Sequence, residues 1–306
     1  MTDYHPELAR GRFIPRLKQR DWSVALLQRV QQRPPRTPDD LVIEEVAEQG
    51  ARLRIYRPKS QIGTAPALFW IHGGGYIQGS PIQDEGFAIA VARQLNITVA
   101  SVRYRLAPKH PNPAAIEDAY AGLRWLFAHA AERDIDPTRI AVGGASAGGG
   151  LAAGLVLYAH DKGEVRPAFQ LLRYPMLDDR TVLRDLDDRK ARLWTAQNNR
   201  YGWTAYLGQQ PGSDGVSEYS APARRENLSG LPPAWIGVGT LDLFHDEDVE
   251  YARRLTEAGV PVSFTTVPGA FHGFDAILFG KTRVVTEFQR TQIEALRHGL
   301  GVAGRS

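Results

Sequence analysis

The sequence predicts an α/β fold: a mostly parallel sheet of eight strands with helices on both faces. Strand-length apolar runs alternate with helix-length segments, glycine-rich turns follow two of those runs, and a carboxylate and an imidazole fall just past two others. Short apolar or alternating runs place strands at about 41–46, 51–57, 66–71, 97–103, 139–143, 168–174, 234–239 and 262–267. Helices are expected between them at about 84–95, 113–131, 147–160, 246–258 and 282–298. No internal repeat or low-complexity tract competes with this order. Residues 1–40 read differently, being mixed and basic, with an amphipathic segment from Trp22 to Val30 and a break at Pro34-Pro35. They are expected as an addition to a main domain spanning 41–306.

Composition narrows the class. A chain of 306 residues could hold two average domains, but the motif residues run from 72 to 272 and favour one catalytic unit. There are no cysteines, which excludes disulfides, thiolate metal ligands and a cysteine nucleophile. No apolar stretch reaches the roughly 18 residues of a membrane span, and the first residues are polar, so a soluble cytoplasmic protein is the expectation. The net charge of +3 comes from 37 basic against 34 acidic residues, a near balance that gives no dedicated face for nucleic acid. No His/Asp/Glu cluster has metal-ligand spacing, and no cofactor is expected. The acidic pairs Asp178-Asp179 and Asp187-Asp188 read as solvated charge.

Gly144-Ala145-Ser146-Ala147-Gly148 follows the apolar run at 139–143 and opens a small-residue helix. A serine at a sharp strand-to-helix turn sits in a strained conformation that exposes its hydroxyl, and small flanking residues leave room for the crossing. Upstream, the run at 66–71 ends in His72-Gly73-Gly74-Gly75-Tyr76. Glycines after a buried strand expose backbone N–H groups, and one such donor aimed at an oxyanion is worth roughly 3 to 4 kcal/mol of barrier. A phosphate loop is excluded, because no Lys-Ser/Thr follows and neither glycine cluster has G-x-G-x-x-G spacing. Asp242 follows the strand at 234–239 and His272 the strand at 262–267, at the sheet edge where open α/β folds place their chemistry. The order Ser146, Asp242, His272 is that of α/β-hydrolases.

The chain resembles the hormone-sensitive-lipase-like family of α/β-hydrolase carboxylesterases. The resemblance rests on His72-Gly-Gly-Gly75, Tyr104-Arg-Leu-Ala-Pro108 with His110-Pro111 and Pro113-Ala-Ala115, the serine elbow, Asp242 with Asp246-Glu247, and His272-Gly-Phe274. It implies the α/β-hydrolase fold with a helical cap, made by residues 1–40 and an insertion at about 178–225. It also implies that Ser146 attacks a short- to medium-chain ester, His272 takes its proton, Asp242 orients the imidazole, and Gly74, Gly75 and Ala147 receive the oxyanion. Tyr76, Trp194, Tyr201 and Trp203 are expected at the substrate pocket. One departure stands out: the family commonly has aspartate before the nucleophile, where this chain has Ala145.

Competing residues fit structural roles better. His72 is expected to hold the glycine loop by hydrogen bonds, His245 lies on the acid's own turn, and His110 sits between Lys109 and Pro111. Asp246 and Glu247 fall where a helix begins and acidic residues are favoured. Glu117 and Asp118 lie on an expected helix. Two other functions use the same fold: an amidase or arylformamidase with the same triad, and a non-catalytic ligand receptor, which would have lost part of it. A small-molecule ester is the expected partner, and a homodimer is compatible with the reading.

Overall fold

Runs rich in β-branched and aromatic residues form the strands, because such side chains pack well on a pleated, buried surface. In the computed structural model, which describes residues 3–29, 37–275 and 282–303, the strands are β1 Leu41–Glu48, β2 Ala51–Pro58, β3 Ala65–Ile71, β4 Thr98–Val102, β5 Ile135–Ala145, β6 Phe169–Arg173, β7 Ala234–Gly239 and β8 Val262–Val267. Among the described residues they make one sheet in the order β1-β2-β4-β3-β5-β6-β7-β8. β1 and β2 pair antiparallel, as do β2 and β4, and every other pairing is parallel. The helices are α1 Asp21–Arg29, α2 Glu85–Leu95, α3 Ala114–Ala128, α4 Ala147–Lys162, α5 Ala196–Leu207, α6 His245–Glu257 and α7 Arg283–Gly299. Among the described residues, no helix is long and apolar enough to cross a membrane.

Alternation along the strands divides the core in two. Phe69, Ile71 and Val142 face one side, with Leu123 of α3, Leu151 and Leu155 of α4 and Leu255 of α6. Leu68, Trp70 and Ala141 face the other, with Val91 of α2 and Phe288 and Leu296 of α7. Covering both faces is what lets parallel strands be apolar along their whole length. β5 begins earlier than its apolar run suggests: the register against β3 jumps from Ala65↔Ile135 to Ala67↔Ile140, so Asp136-Pro137-Thr138 lie in an irregularity that turn chemistry hides.

The stretch at 178–225 is less helical than expected. It holds α5 and two short 3-10 helices, Asp179–Leu183 and Pro222–Arg224. Residues 3–29 lie against it. Tyr4 Oη donates to Lys190 O at 2.9 Å, Gln19 N to Asn198 Oδ1 at 3.0 Å, Asn198 Nδ2 to Leu17 O at 2.9 Å, and Tyr201 Oη to Asp21 Oδ1 at 2.7 Å. Val30 and Pro34-Pro35 fall outside the described residues. Asp178 and Asp179 correct the reading of solvated charge, since both are buried. Asp178 pairs with Arg180 at 2.8 Å and Asp179 with Arg224 at 2.7 Å, the partners a buried carboxylate requires. Asp187 is exposed and paired with Arg189, and Asp188 bonds Arg16 of the N-terminal segment.

Candidate active site

Ser146 stands between the end of β5 and the first turn of α4, with φ 57° and ψ −123°. Few non-glycine residues occupy such a conformation, and the surrounding backbone must enforce it. Its N–H donates to Arg173 O at 2.9 Å, and its carbonyl accepts from Gly150 and Met176, each at 3.0 Å. The flanking glycines are sterically required. A Cβ on Gly144 would lie 2.2 Å from Gly148 O, and one on Gly148 would lie 2.2 Å from Ile71 O.

Ser146 Oγ is 2.8 Å from His272 Nε2, and His272 Nδ1 is 2.8 Å from Asp242 Oδ2. An ionised carboxylate only accepts, so the proton on Nδ1 donates to Asp242, which leaves Nε2 to accept from the serine hydroxyl. The second Asp242 oxygen accepts the Phe244 N–H at 3.0 Å and fixes the carboxylate on its turn. All three residues are buried. The Tyr174 and Phe244 rings meet the imidazole edge-on at 4.8 and 5.1 Å, limiting its rotation.

The glycine loop lies beside the elbow. Gly74 and Gly75 have φ of 116° and 62°, and the Gly74 carbonyl accepts from Ile77 and Gln78. Among the described residues, neither Gly74 N–H nor Gly75 N–H donates to a backbone carbonyl. Ala147 is the first residue of α4, where an N–H has no intrahelical acceptor. His72 Nδ1 donates to Gly73 O at 2.8 Å, and its ring stacks on Tyr104 at 4.3 Å. Burial lowers its pKa to about 4, so His72 is neutral and holds the loop rather than acting as a base.

The four expected pocket aromatics separate. Trp194 packs on the glycine loop: a Cβ on Gly75 would lie 2.0 Å from its ring, and one on Gly202 of α5 would lie 3.0 Å from it. Tyr76 and Trp203 are fully buried, with Tyr76 stacked on Tyr206 at 3.7 Å and against Trp203 at 5.7 Å. Trp203 in turn packs against Tyr206 at 6.1 Å. Tyr201 bonds Asp21 and lines a cavity of about 660 Å³ with Pro108, Pro111 and Thr204, none of them triad residues.

The alternatives weighed in the sequence take structural places. His245 pairs with Asp246, and Asp118 binds Arg105 through both oxygens. Glu247 is buried and accepts the Leu177 and Asp178 N–H groups, at 2.7 and 3.2 Å, besides its contact with Thr181 Oγ1. Sequence reasoning missed Arg173, Tyr174, Asp84 and Asp275, which cluster behind His272. The signal available was the one charged residue of β6, at its end.

A serine elbow, an imidazole and a carboxylate in this order on this sheet define a hydrolase of the α/β class. The chain belongs to the alpha/beta hydrolase fold family, whose model matches residues 68–276. It is 36% identical over 252 residues to "Esterase LipI" of Mycobacterium tuberculosis, covering 80% of this chain and 77% of that protein. It is 37% identical over 254 residues to "Carboxylesterase NlhH" of the same organism, covering 79% and 78%. The solved structure of "Bacterial Heroin Esterase" aligns over 99% of this chain and 98% of that one, at 38% identity and a TM-score of 0.86.

Proposed function

We propose that this protein is a serine carboxylesterase that hydrolyses short- to medium-chain carboxylic esters through an acyl-enzyme. The observation that carries the reading is the continuous relay from Ser146 Oγ through His272 to Asp242, with both contacts at 2.8 Å. His272 accepts the serine proton as Oγ attacks the ester carbonyl, and returns it to the departing alcohol. Asp242 keeps the imidazole in the required tautomer and stabilises its charged form. Water then attacks the acyl-serine with His272 again as base. The N–H groups of Gly74, Gly75 and Ala147 receive the oxyanion, and their fixed backbone lets them stabilise charge without reorganising.

The described part of residues 1–40, with about 178–225, forms the cap over this site. The hydrogen bonds between the two segments support it, as does the seat of Trp194 on Gly75, which walls the glycine loop with an apolar ring. Such a wall suits the small acyl group of a short ester and excludes water from the oxyanion.

The test is hydrolysis of p-nitrophenyl acetate, butyrate, octanoate and palmitate beside matched anilides. Turnover that favours the shorter esters over palmitate and over the anilides, and disappears in a folded Ser146→Ala variant, is the expected result. Anilide turnover equal to ester turnover would make the protein an amidase, and the absence of any turnover would overturn the hydrolase reading.

A further inference from the structure

Arg173 ends β6 as a charged side chain only 5% exposed. Its Nη1 donates to Asp275 Oδ2 at 3.1 Å, and its Nη2 donates to Asp84 Oδ1 at 3.4 Å. The Trp70, Phe87 and Tyr174 rings lie 5.1, 4.9 and 5.6 Å from the guanidinium carbon. Ala145, its register partner on β5, contributes only a methyl group beside it. Buried ion triads rarely improve on apolar side chains of the same volume, so stability alone is a poor account of this cluster.

The two acids connect to the two loops that build the site. Asp84, in the 3-10 helix Pro81–Asp84, accepts the Trp70 Nε1–H at 3.0 Å and a backbone hydrogen bond from Gly73 of the glycine loop. Asp275 lies on the turn that carries His272. Its other oxygen accepts the Tyr174 hydroxyl at 2.7 Å, and the Tyr174 ring is the one that meets the imidazole edge-on. The carbonyl of Arg173 holds the Ser146 N–H at 2.9 Å. One residue therefore reaches the elbow through its backbone, and the glycine loop and the histidine turn through its side chain.

We infer that Arg173 is a positioning residue. Together with Asp84 and Asp275 it forms a buried clamp that sets the histidine turn and the glycine loop at one spacing, so that His272 and the loop N–H groups are aligned on Ser146 before substrate arrives. The guanidinium suits this task because its planar fork offers donors in two directions at once, which an ammonium cannot do with fixed geometry. The clamp is neither a substrate contact nor a proton carrier, and its effect reaches the reaction through His272 and the glycine loop. The inference rests on the esterase reading of this site.

The test compares wild type with Arg173→Met, Asp275→Asn and the triple variant Arg173→Met/Asp84→Asn/Asp275→Asn. The readouts are kcat and KM for p-nitrophenyl butyrate, the melting temperature, and the His272 ring resonances by NMR. Arg173→Met is expected to lose about tenfold or more in kcat, with KM within about twofold, because small misplacements of reacting groups are costly. Asp275→Asn loosens the histidine turn from Arg173 and is expected to lower kcat, again with KM little changed, and to shift the His272 ring resonances. The triple variant buries no charge at the cluster and carries the test should Arg173→Met fail to fold. It is expected to recover the melting temperature and remain slow. Recovery of both melting temperature and kcat in the triple variant would reduce the cluster to a structural role and overturn the clamp. Unshifted His272 ring resonances in both Arg173→Met and Asp275→Asn would also overturn it. A wild type inactive on esters would instead sink the esterase reading, and the His272 resonances would still decide the clamp.

Discussion

Gly74 shows how little room the proposed oxyanion loop leaves at the level of one atom. Its φ is 116°, and a Cβ there would lie 2.1 Å from the carbonyl oxygen of Gln78. An L-residue is strained in that conformation whatever its size, and the clash is with backbone, which cannot rotate away. Gly74→Ala must displace the loop, and with it the N–H groups proposed to hold the oxyanion. The expected result is a kcat lower by about 10² to 10³, with KM little changed and an unaltered circular dichroism spectrum. A full-rate Gly74→Ala enzyme would show that the loop does not bind the oxyanion. Gly86, exposed in the first turn of α2, is the internal control, since a Cβ there meets nothing within 4 Å. Gly86→Ala should leave kcat unchanged and add about 0.5 kcal/mol of stability, read as a higher melting temperature.

At the scale of elements, the question is what fastens α1 to the rest. Gln28 reaches across with Nε2, donating to Ile77 O at 2.7 Å and to Ala107 O at 2.8 Å. Ile77 follows directly on the glycine loop, so this amide ties the N-terminal part of the proposed cap to the back of the site. Removing it loses two hydrogen bonds at a half-buried position, on the order of 1 kcal/mol in total. Gln28→Ala is expected to raise KM several-fold with a smaller change in kcat, and to speed proteolytic cleavage within residues 14–20. Unchanged KM and unchanged cleavage would mean that α1 is held by its contacts with 188–201 alone. The same scale explains why the aromatic stripe on α5 divides. A helix pattern tells which residues share a face, but both neighbours of α5, the glycine loop and α1, offer it apolar surface. Tyr206 and Trp203 turn to the first and Tyr201 to the second.

For the whole molecule, the buried carboxyl groups behind Asp242 set a pH dependence of stability. Burial pushes Glu247 up to about 8, against the opposing effect of its hydrogen bonds from Thr181, Leu177 and Asp178. Asp248 is raised in the same direction, chiefly by burial, and both of its carboxyl oxygens lack a partner among the described residues. A carboxyl whose folded pKa lies above its unfolded value stabilises the fold fully below the unfolded value, and that contribution is lost as pH rises through the folded one. For Glu247 the window runs from 4.5 to about 8, with a slope of at most about 1.4 kcal/mol per pH unit. Glu247→Gln mimics the protonated form and should gain stability relative to wild type between pH 5 and pH 8 in urea melts. Two curves that stay parallel over that range would show that Glu247 is ionised in the folded protein.

What the sequence determined by itself was local and periodic. Alternating apolar runs located all eight strands of the described sheet. Ser146, Asp242 and His272 were legible because a strained turn needs small neighbours and because strand ends are where open α/β sheets expose side chains. The small residues flanking Ser146 were legible for the same reason, since that need is set by the backbone within a few residues. Tertiary structure alone decided which charges are buried. Asp178 and Asp179 read as solvent-exposed, and Asp84, Arg173 and Asp275, far apart along the chain, carried no shared pattern. Their meeting depends on β6 lying next to β5 and on two loops closing over its end, and the cost of burying a charge is fixed only when its partners from other strands have arrived.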